Sequence, residues 1–222
     1  MLAFDSILFD FDGVLADTEP LHWLCWREVL KPLGIDLDWE YYAENCVGID
    51  DKGMLQVMAE KSDPPRDWHD LFAQYPRKKE LFSARTHASP PFVPELGPML
   101  EELHGAYRLA VVTSSGRAEV EPLLVAGGLR RHFDAIVGAE NVTRRKPEPE
   151  PYLKAAELVG GRSPLVVEDS VPGIASGRAA GFEVLEIPDA ACMPALLRAR
   201  LAAAAPGRIT GSDGAAMQCK LE

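Results

Sequence analysis

Hydrophobic positions along the chain change rhythm twice. Ile7, Leu8 and Phe9 make a short unbroken apolar run, the mark of a buried strand. The rhythm then turns helical. Leu21, Leu24, Trp26, Val29, Leu30 and Leu33 recur at roughly helical steps, with Asp17 or Thr18 as cap, Pro20 in the first turn and Gly34 at the end. Residues 39–45, 52–61 and 67–84 also read as helices, and no strand pattern interrupts them. Pro90-Pro91-Phe92-Val93-Pro94 is a stiff connection. Beyond it, strands expected at 109–113, 135–137, 165–167 and 184–187 alternate with helices at 118–126, 152–158 and 174–180, which end at Gly127-Gly128, Gly160-Gly161 and Gly181. An Ala-rich helix should reach about residue 205, and the segment after Gly207 reads as frayed or loosely packed.

This order predicts an α/β fold with a mostly parallel sheet and helices on both faces. Residues 16–89 form a helical domain inserted into a core made of 1–15 and 90–222. Ligands of such sheets sit at the carboxyl ends of the strands, and these strand ends carry the chemistry. Asp10 and Asp12, two residues apart, leave an extended backbone on the same face, and Gly13 lets the chain turn. Alone, the pair could be an Asp-Gly turn after a surface strand. The next strand delivers Thr113-Ser114-Ser115-Gly116, which suits an anion or a plain helix cap equally well. The third delivers Glu168-Asp169-Ser170 ahead of Gly173. Between them lies Arg144-Arg145-Lys146-Pro147-Glu148-Pro149-Glu150-Pro151, whose alternate prolines should hold the loop extended and aim Lys146; on its own it could be a solvated basic face.

Convergence favours chemistry. Two carboxylates about 4 Å apart repel by about 4 kcal/mol at an effective dielectric near 20. Asp10, Asp12, Glu168 and Asp169 together therefore call for a divalent cation, and an all-oxygen set selects Mg²⁺ over zinc or copper. Thr113 and Lys146 add a hydroxyl and a fixed cation, a set that fits a phosphoryl group.

The 222 residues suit one large domain or two unequal ones, with an ordinary 47% hydrophobic and 26% charged composition. A net charge of −11 argues against nucleic acid or an anionic membrane as partner. An anionic substrate then needs a local positive site, which Lys146 could supply. No apolar run approaches the roughly 20 residues of a membrane span, and the first residues do not read as a signal peptide. Cys25, Cys46, Cys192 and Cys219 lack paired spacing, which speaks against zinc or a disulfide framework and fits a reducing cytoplasm. Without a heptad or long apolar patch to demand a protein partner, a monomer is expected.

The chain resembles the haloacid dehalogenase superfamily of phosphohydrolases. Its four motifs stand in order as Asp10-Phe11-Asp12-Gly13-Val14, Thr113 after an apolar strand, Lys146-Pro147, and Glu168-Asp169-Ser170 with Gly173. The resemblance implies a Rossmann-like three-layer core and an inserted α-helical C1 cap. It implies Asp10 as nucleophile forming an aspartyl-phosphate, and Asp12 as general acid and then base. Mg²⁺ would be held by Asp10, the Asp12 main-chain carbonyl and Asp169, with Glu168 in support. Thr113, Ser114 and Lys146 would bind the phosphoryl oxygens. Dehalogenases lack an acid at the second position, so Asp12 argues against that activity.

Asp17, Thr18, His22, Trp26 and Gly48-Ile49 are most similar to the β-phosphoglucomutase and sugar-phosphatase branch. His22 reads equally as a satisfied helical histidine or as a cap-closure residue that binds substrate. Trp23, Trp26, Trp39 and Trp68 read as cap core before sugar platforms. Where the mutases carry an arginine that grips a second phosphate, this chain has Asp51, although Arg77, Lys78 or Lys79 could take over that grip. The expectation is a Mg²⁺-dependent phosphatase of a small phosphorylated metabolite, with a sugar phosphate first. The rivals are a mutase-like phosphotransferase and a non-catalytic phosphate-binding protein.

Overall fold

The structure is a computed structural model that describes residues 3–47, 49, 51–62 and 64–204. Gly48, Cys219 and the tail after Gly207 therefore lie outside the described residues. The chain divides into two compact units, Met1–Asp17 with Phe92–Glu222, and Thr18–Pro91. Both junctions fall two residues later than the sequence suggested, because Ala16 is buried and bridges to Phe92 in the first unit.

Strand β1 (Ser6–Phe9) is buried throughout. The helical unit follows. Helix α1 (Glu19–Leu30) starts at Thr18 with Pro20 in its first turn, and a short 3₁₀ turn after it ends at Gly34, whose φ of 78° favours glycine. It buries Cys25, Trp26, Val29 and Leu30, while Leu24, counted in the apolar face by spacing, is exposed. Helix α2 (Trp39–Asn45) is capped by the Asp38 carboxylate, which accepts from Tyr41 N–H, and α3 (Asp51–Glu60) buries Met54, Leu55, Met58 and Ala59. The single helix expected over 67–84 is two helices, α4 (Trp68–Phe72) and α5 (Tyr75–Ala88). Pro76 explains the break: it lacks the N–H that a continuous helix needs, and it is tolerated in a first turn. Trp26 is fully buried in this unit's core and Trp23 and Trp68 pack against it, whereas Trp39 stays 41% exposed.

The first unit resumes with α6 (Leu96–His104), which the sequence reading left out because Gly97-Pro98 interrupts its start. Its Leu96, Met99, Leu100 and Leu103 form a buried stripe at helical spacing. Then come β2 (Arg108–Val112), α7 (Arg117–Ala126), β3 (Ala135–Val137), α8 (Glu150–Val159), β4 (Pro164–Glu168), α9 (Val171–Ala179), β5 (Glu183–Glu186) and α10 (Met193–Ala203). The proline run is not extended to its end. Pro149 sits at the N-cap of α8 in helical conformation and Pro151 lies in the first turn.

The five strands are parallel in the order β3-β2-β1-β4-β5. Phe9 is level with Val111 on one side and Val167 on the other, so Asp10, Val112 and Glu168 emerge side by side. One apolar cluster, with Phe9, Val111 and Leu100, and another, with Leu8, Val166 and Tyr152, fill the two faces of the sheet. No helix among the described residues is long and apolar enough to cross a membrane, and Cys25, Cys46 and Cys192 are free thiols.

Candidate active site

The Lys146 ammonium organises the strand ends. Its Nζ donates to Asp10 Oδ1 at 2.5 Å, to Glu168 Oε1 at 2.6 Å and to the Val112 carbonyl at 3.0 Å. All three ammonium hydrogens are thereby committed. The carbonyl comes from β2 and the two carboxylates from β1 and β4, so three adjacent strands fix one cation. Below it, Ser176 Oγ donates to the Glu148 carbonyl at 2.5 Å and ties the loop to α9.

Glu168 is fully buried and has five donors. Oε1 accepts from Lys146 and from the Tyr152 hydroxyl at 2.8 Å. Oε2 accepts from the N–H groups of Asp169 and Ser170 and from Ser170 Oγ, each at 3.0 Å. The Ser170 hydroxyl also accepts from Gly173 N–H and so caps α9. Gly173 is required by this packing, because a Cβ there would lie 1.6 Å from Glu168 Oε1. Gly13 is required twice over: its φ is +76°, and a Cβ would lie 2.0 Å from Asp169 Oδ2.

Asp10, Glu168 and Asp169 each offer a carboxylate oxygen within 4.8 Å of the others. Asp169 Oδ1 is buried and makes no hydrogen bond. An unpaired buried carboxylate oxygen beside two more carboxylates is costly for the protein alone, and a hard divalent cation would satisfy it. Burial, followed by the neighbouring Glu168 charge, raises the Asp169 pKa from 3.8 to about 6. Burial also pushes the Asp10 pKa well up, against the pull of Lys146 and with help from the charges of Glu168 and Asp12. Burial works against the Lys146 charge, yet Asp10 and Glu168 more than offset it and the net shift is upward. The ammonium stays protonated.

Asp12 accepts from Ser115 Oγ at 3.4 Å. Thr113 is buried, and its Oγ1 accepts from Ser115 N–H at 3.0 Å in the turn that leads to α7. Ser114 is exposed in the same turn. Sequence reasoning did not single out Ser115 or Tyr152. The Ser115 contact depends on a turn whose shape was not readable, and Tyr152 read only as the first residue of a helix over 152–158.

His22 lies in the helical unit as part of a separate polar cluster. Its Nδ1 is 2.8 Å from Lys78 Nζ, and its ring stacks on Phe82 at 4.2 Å. Lys78 Nζ also pairs with Asp51 at 3.0 Å, and Asp51 Oδ1 accepts from Trp26 Nε1 at 2.7 Å. Burial, then the Lys78 charge, lowers the His22 pKa to about 3, so the imidazole is neutral. Arg77 pairs with Glu80 at 3.1 Å.

The sequence model of haloacid dehalogenase-like hydrolases matches residues 7–187, which include every motif residue just described. The chain belongs to the haloacid dehalogenase-like hydrolase family. Within that family it is similar to the fructose-1-phosphate phosphatase YqaB of Escherichia coli, 34% identical over 185 residues that cover 82% of this chain and 95% of the relative. It is also similar to a phosphorylated carbohydrates phosphatase of Thermotoga maritima, 28% identical over 184 residues, with 81% and 82% covered. Among solved structures, CbbY of Rhodobacter sphaeroides in complex with phosphate superposes with a TM-score of 0.65 at 29% identity, over 85% of this chain and 87% of that one. The parallel sheet and its helices are the α/β fold of this family, and the family makes the chain a hydrolase.

Proposed function

We propose that this hydrolase is a Mg²⁺-dependent phosphatase that acts on a small phosphorylated metabolite, a sugar phosphate first, through an aspartyl-phosphate on Asp10. The observation that carries the reading is Lys146 held between Asp10 and Glu168 beside an unpaired Asp169 oxygen. The phosphatase names of the two similar proteins support the reaction class, and the first supports a sugar phosphate.

In this reading the Asp10 carboxylate attacks phosphorus while Lys146 holds the charge on its Oδ1. Asp12 donates its proton to the departing alcohol oxygen, then takes a proton from the water that hydrolyses the aspartyl-phosphate. Ser115, bonded to Asp12, steadies that carboxyl group. Thr113 and Ser114 would hold phosphoryl oxygens, and Lys146, whose three hydrogens are committed, would act on the transferring group through its charge. Asp10, Asp169 and the Asp12 main-chain carbonyl would hold Mg²⁺, with Glu168 in support; bound there, the ion supplies electrostatic stabilisation of the transferring group.

The helical unit would read the leaving group. Lys78 is already neutralised by Asp51, and Arg77 is engaged by Glu80. The buried Lys78 is therefore not a loose cation waiting for a second phosphate, which favours hydrolysis of a monophosphate over mutase chemistry. A panel of phosphorylated metabolites, scored for phosphate release with Mg²⁺ and with EDTA, tests the reading. Mg²⁺-dependent release led by a sugar monophosphate, and lost in Asp10→Asn, is expected. Conversion of β-glucose 1-phosphate into glucose 6-phosphate without matching free phosphate would overturn it.

A further inference from the structure

Tyr152 is fully buried in the first turn of α8, where a phenylalanine would fill the same space. Its hydroxyl instead donates to Glu168 Oε1 at 2.8 Å, and its ring centroid lies 5.1 Å from Lys146 Nζ. Tyr152 thus touches both ends of the Lys146–Glu168 pair. Burial, then the Glu168 charge, pushes the phenol's pKa well up, so it remains a donor.

Glu168 Oε1 is shared by two donors, and Lys146 is shared by two carboxylates. A hydrogen bond from a phenol to a carboxylate is charge-assisted and withdraws negative charge from the oxygen that accepts it. With Oε1 partly satisfied by Tyr152, the ammonium can lean towards Asp10. Without the hydroxyl, Oε1 has Lys146 alone, and a fully buried carboxylate competes harder for the ammonium. We propose that Tyr152 is a positioning residue: its hydroxyl sets how the Lys146 charge is divided between Glu168 and the nucleophile Asp10, and its ring holds the ammonium in place. This deepens the phosphatase reading and rests on Asp10 being the phosphoryl acceptor.

The test uses the full chain with Tyr152→Phe and Glu168→Gln, singly and together. It reads kcat and KM for fructose 1-phosphate with Mg²⁺, the calorimetric affinity for beryllium trifluoride with Mg²⁺ as a mimic of phosphoryl-aspartate, and thermal unfolding. Tyr152→Phe should lower kcat about tenfold, about 1.4 kcal/mol, with KM changed less than about twofold, and should weaken beryllium trifluoride binding about tenfold. In the Glu168→Gln background the same change should move both quantities less than about twofold, since the carboxylate it acts through is gone. Tyr152→Met, which loses ring and hydroxyl, should weaken beryllium trifluoride binding at least as much. A Tyr152→Phe chain with parental kcat and affinity, or losses that multiply in the double variant, would overturn the proposal, as would a lowered Tm alone. Failure of the underlying reading looks different: the parent chain itself would then bind no beryllium trifluoride, and the proposal would fall with it.

Discussion

Lys78 and Asp51 form an ion pair inside the helical unit, 3.0 Å from Nζ to Oδ2, with the lysine side chain 3% exposed. Removing one partner of such a pair strands the other, at a cost of about 3–5 kcal/mol. Asp51→Asn keeps an acceptor for Trp26 Nε1 but leaves the ammonium unpaired, and should cost about 3 kcal/mol in urea unfolding. Adding Lys78→Met should recover most of that loss. If the double variant is no more stable than Asp51→Asn alone, the pair is not what holds this cluster.

His22 should make the chain sensitive to mild acid. Its pKa is about 3 in the fold against an ordinary value near 6.5. Between these values the unfolded chain binds a proton that the folded chain refuses, so stability falls as pH falls, by up to about 1.4 kcal/mol per pH unit. His22→Asn removes the titration and should flatten the decline between about pH 6.5 and about pH 5, above the ordinary carboxylate range. Equal slopes for parent and variant in denaturant titrations would rule this out.

Asp169 gives the opposite sign. Its folded pKa, raised from 3.8 to about 6, means that the metal-free fold loses stability as pH rises through that window. A cation held by the ionised carboxylate restores it. Added Mg²⁺ should therefore raise Tm clearly near pH 7.5, less so as pH falls through about 6, and hardly at all near pH 5. A Tm increment independent of pH would place the ion elsewhere.

Gly13 admits no side chain. Alanine would carry a Cβ 2.0 Å from Asp169 Oδ2 at a φ of +76°, a left-handed conformation that costs an L-residue about 1–2 kcal/mol. Gly13→Ala should weaken Mg²⁺ binding and turnover at least about tenfold, because Asp169 must move. Parental Mg²⁺ titration curves would show that the placement of Asp169 does not matter.

Much of this was legible in the sequence because the residues sit where periodicity stops. The apolar run 7–9 ends at Asp10, and the run 165–167 ends at Glu168-Asp169; parallel register then brings the ends together without further information. Helix α6 was hidden by Gly97-Pro98, although its buried stripe keeps the helical period. The break between α4 and α5 was masked by an unbroken helical composition, even with Pro76 inside it. Lys78 read, with Arg77 and Lys79, as a cation that could grip a second phosphate. Its burial depends on His22 and Asp51, 56 and 27 positions away, and local pattern carries no trace of such partners. Tyr152 was invisible as a site residue for the same reason, since the role of a hydroxyl depends on what lies opposite it.

The Ala16–Phe92 bridge has a consequence for how the chain could be re-engineered. It staples the points at which the insertion departs and re-enters, and among the described residues the strands and the Lys146 cluster all belong to the first unit. A few glycines and serines could close that gap, since bridging neighbouring points costs little loop entropy. The same bridge makes the junction a natural place for grafting, where one helical insert could be exchanged for another without disturbing the register of the sheet.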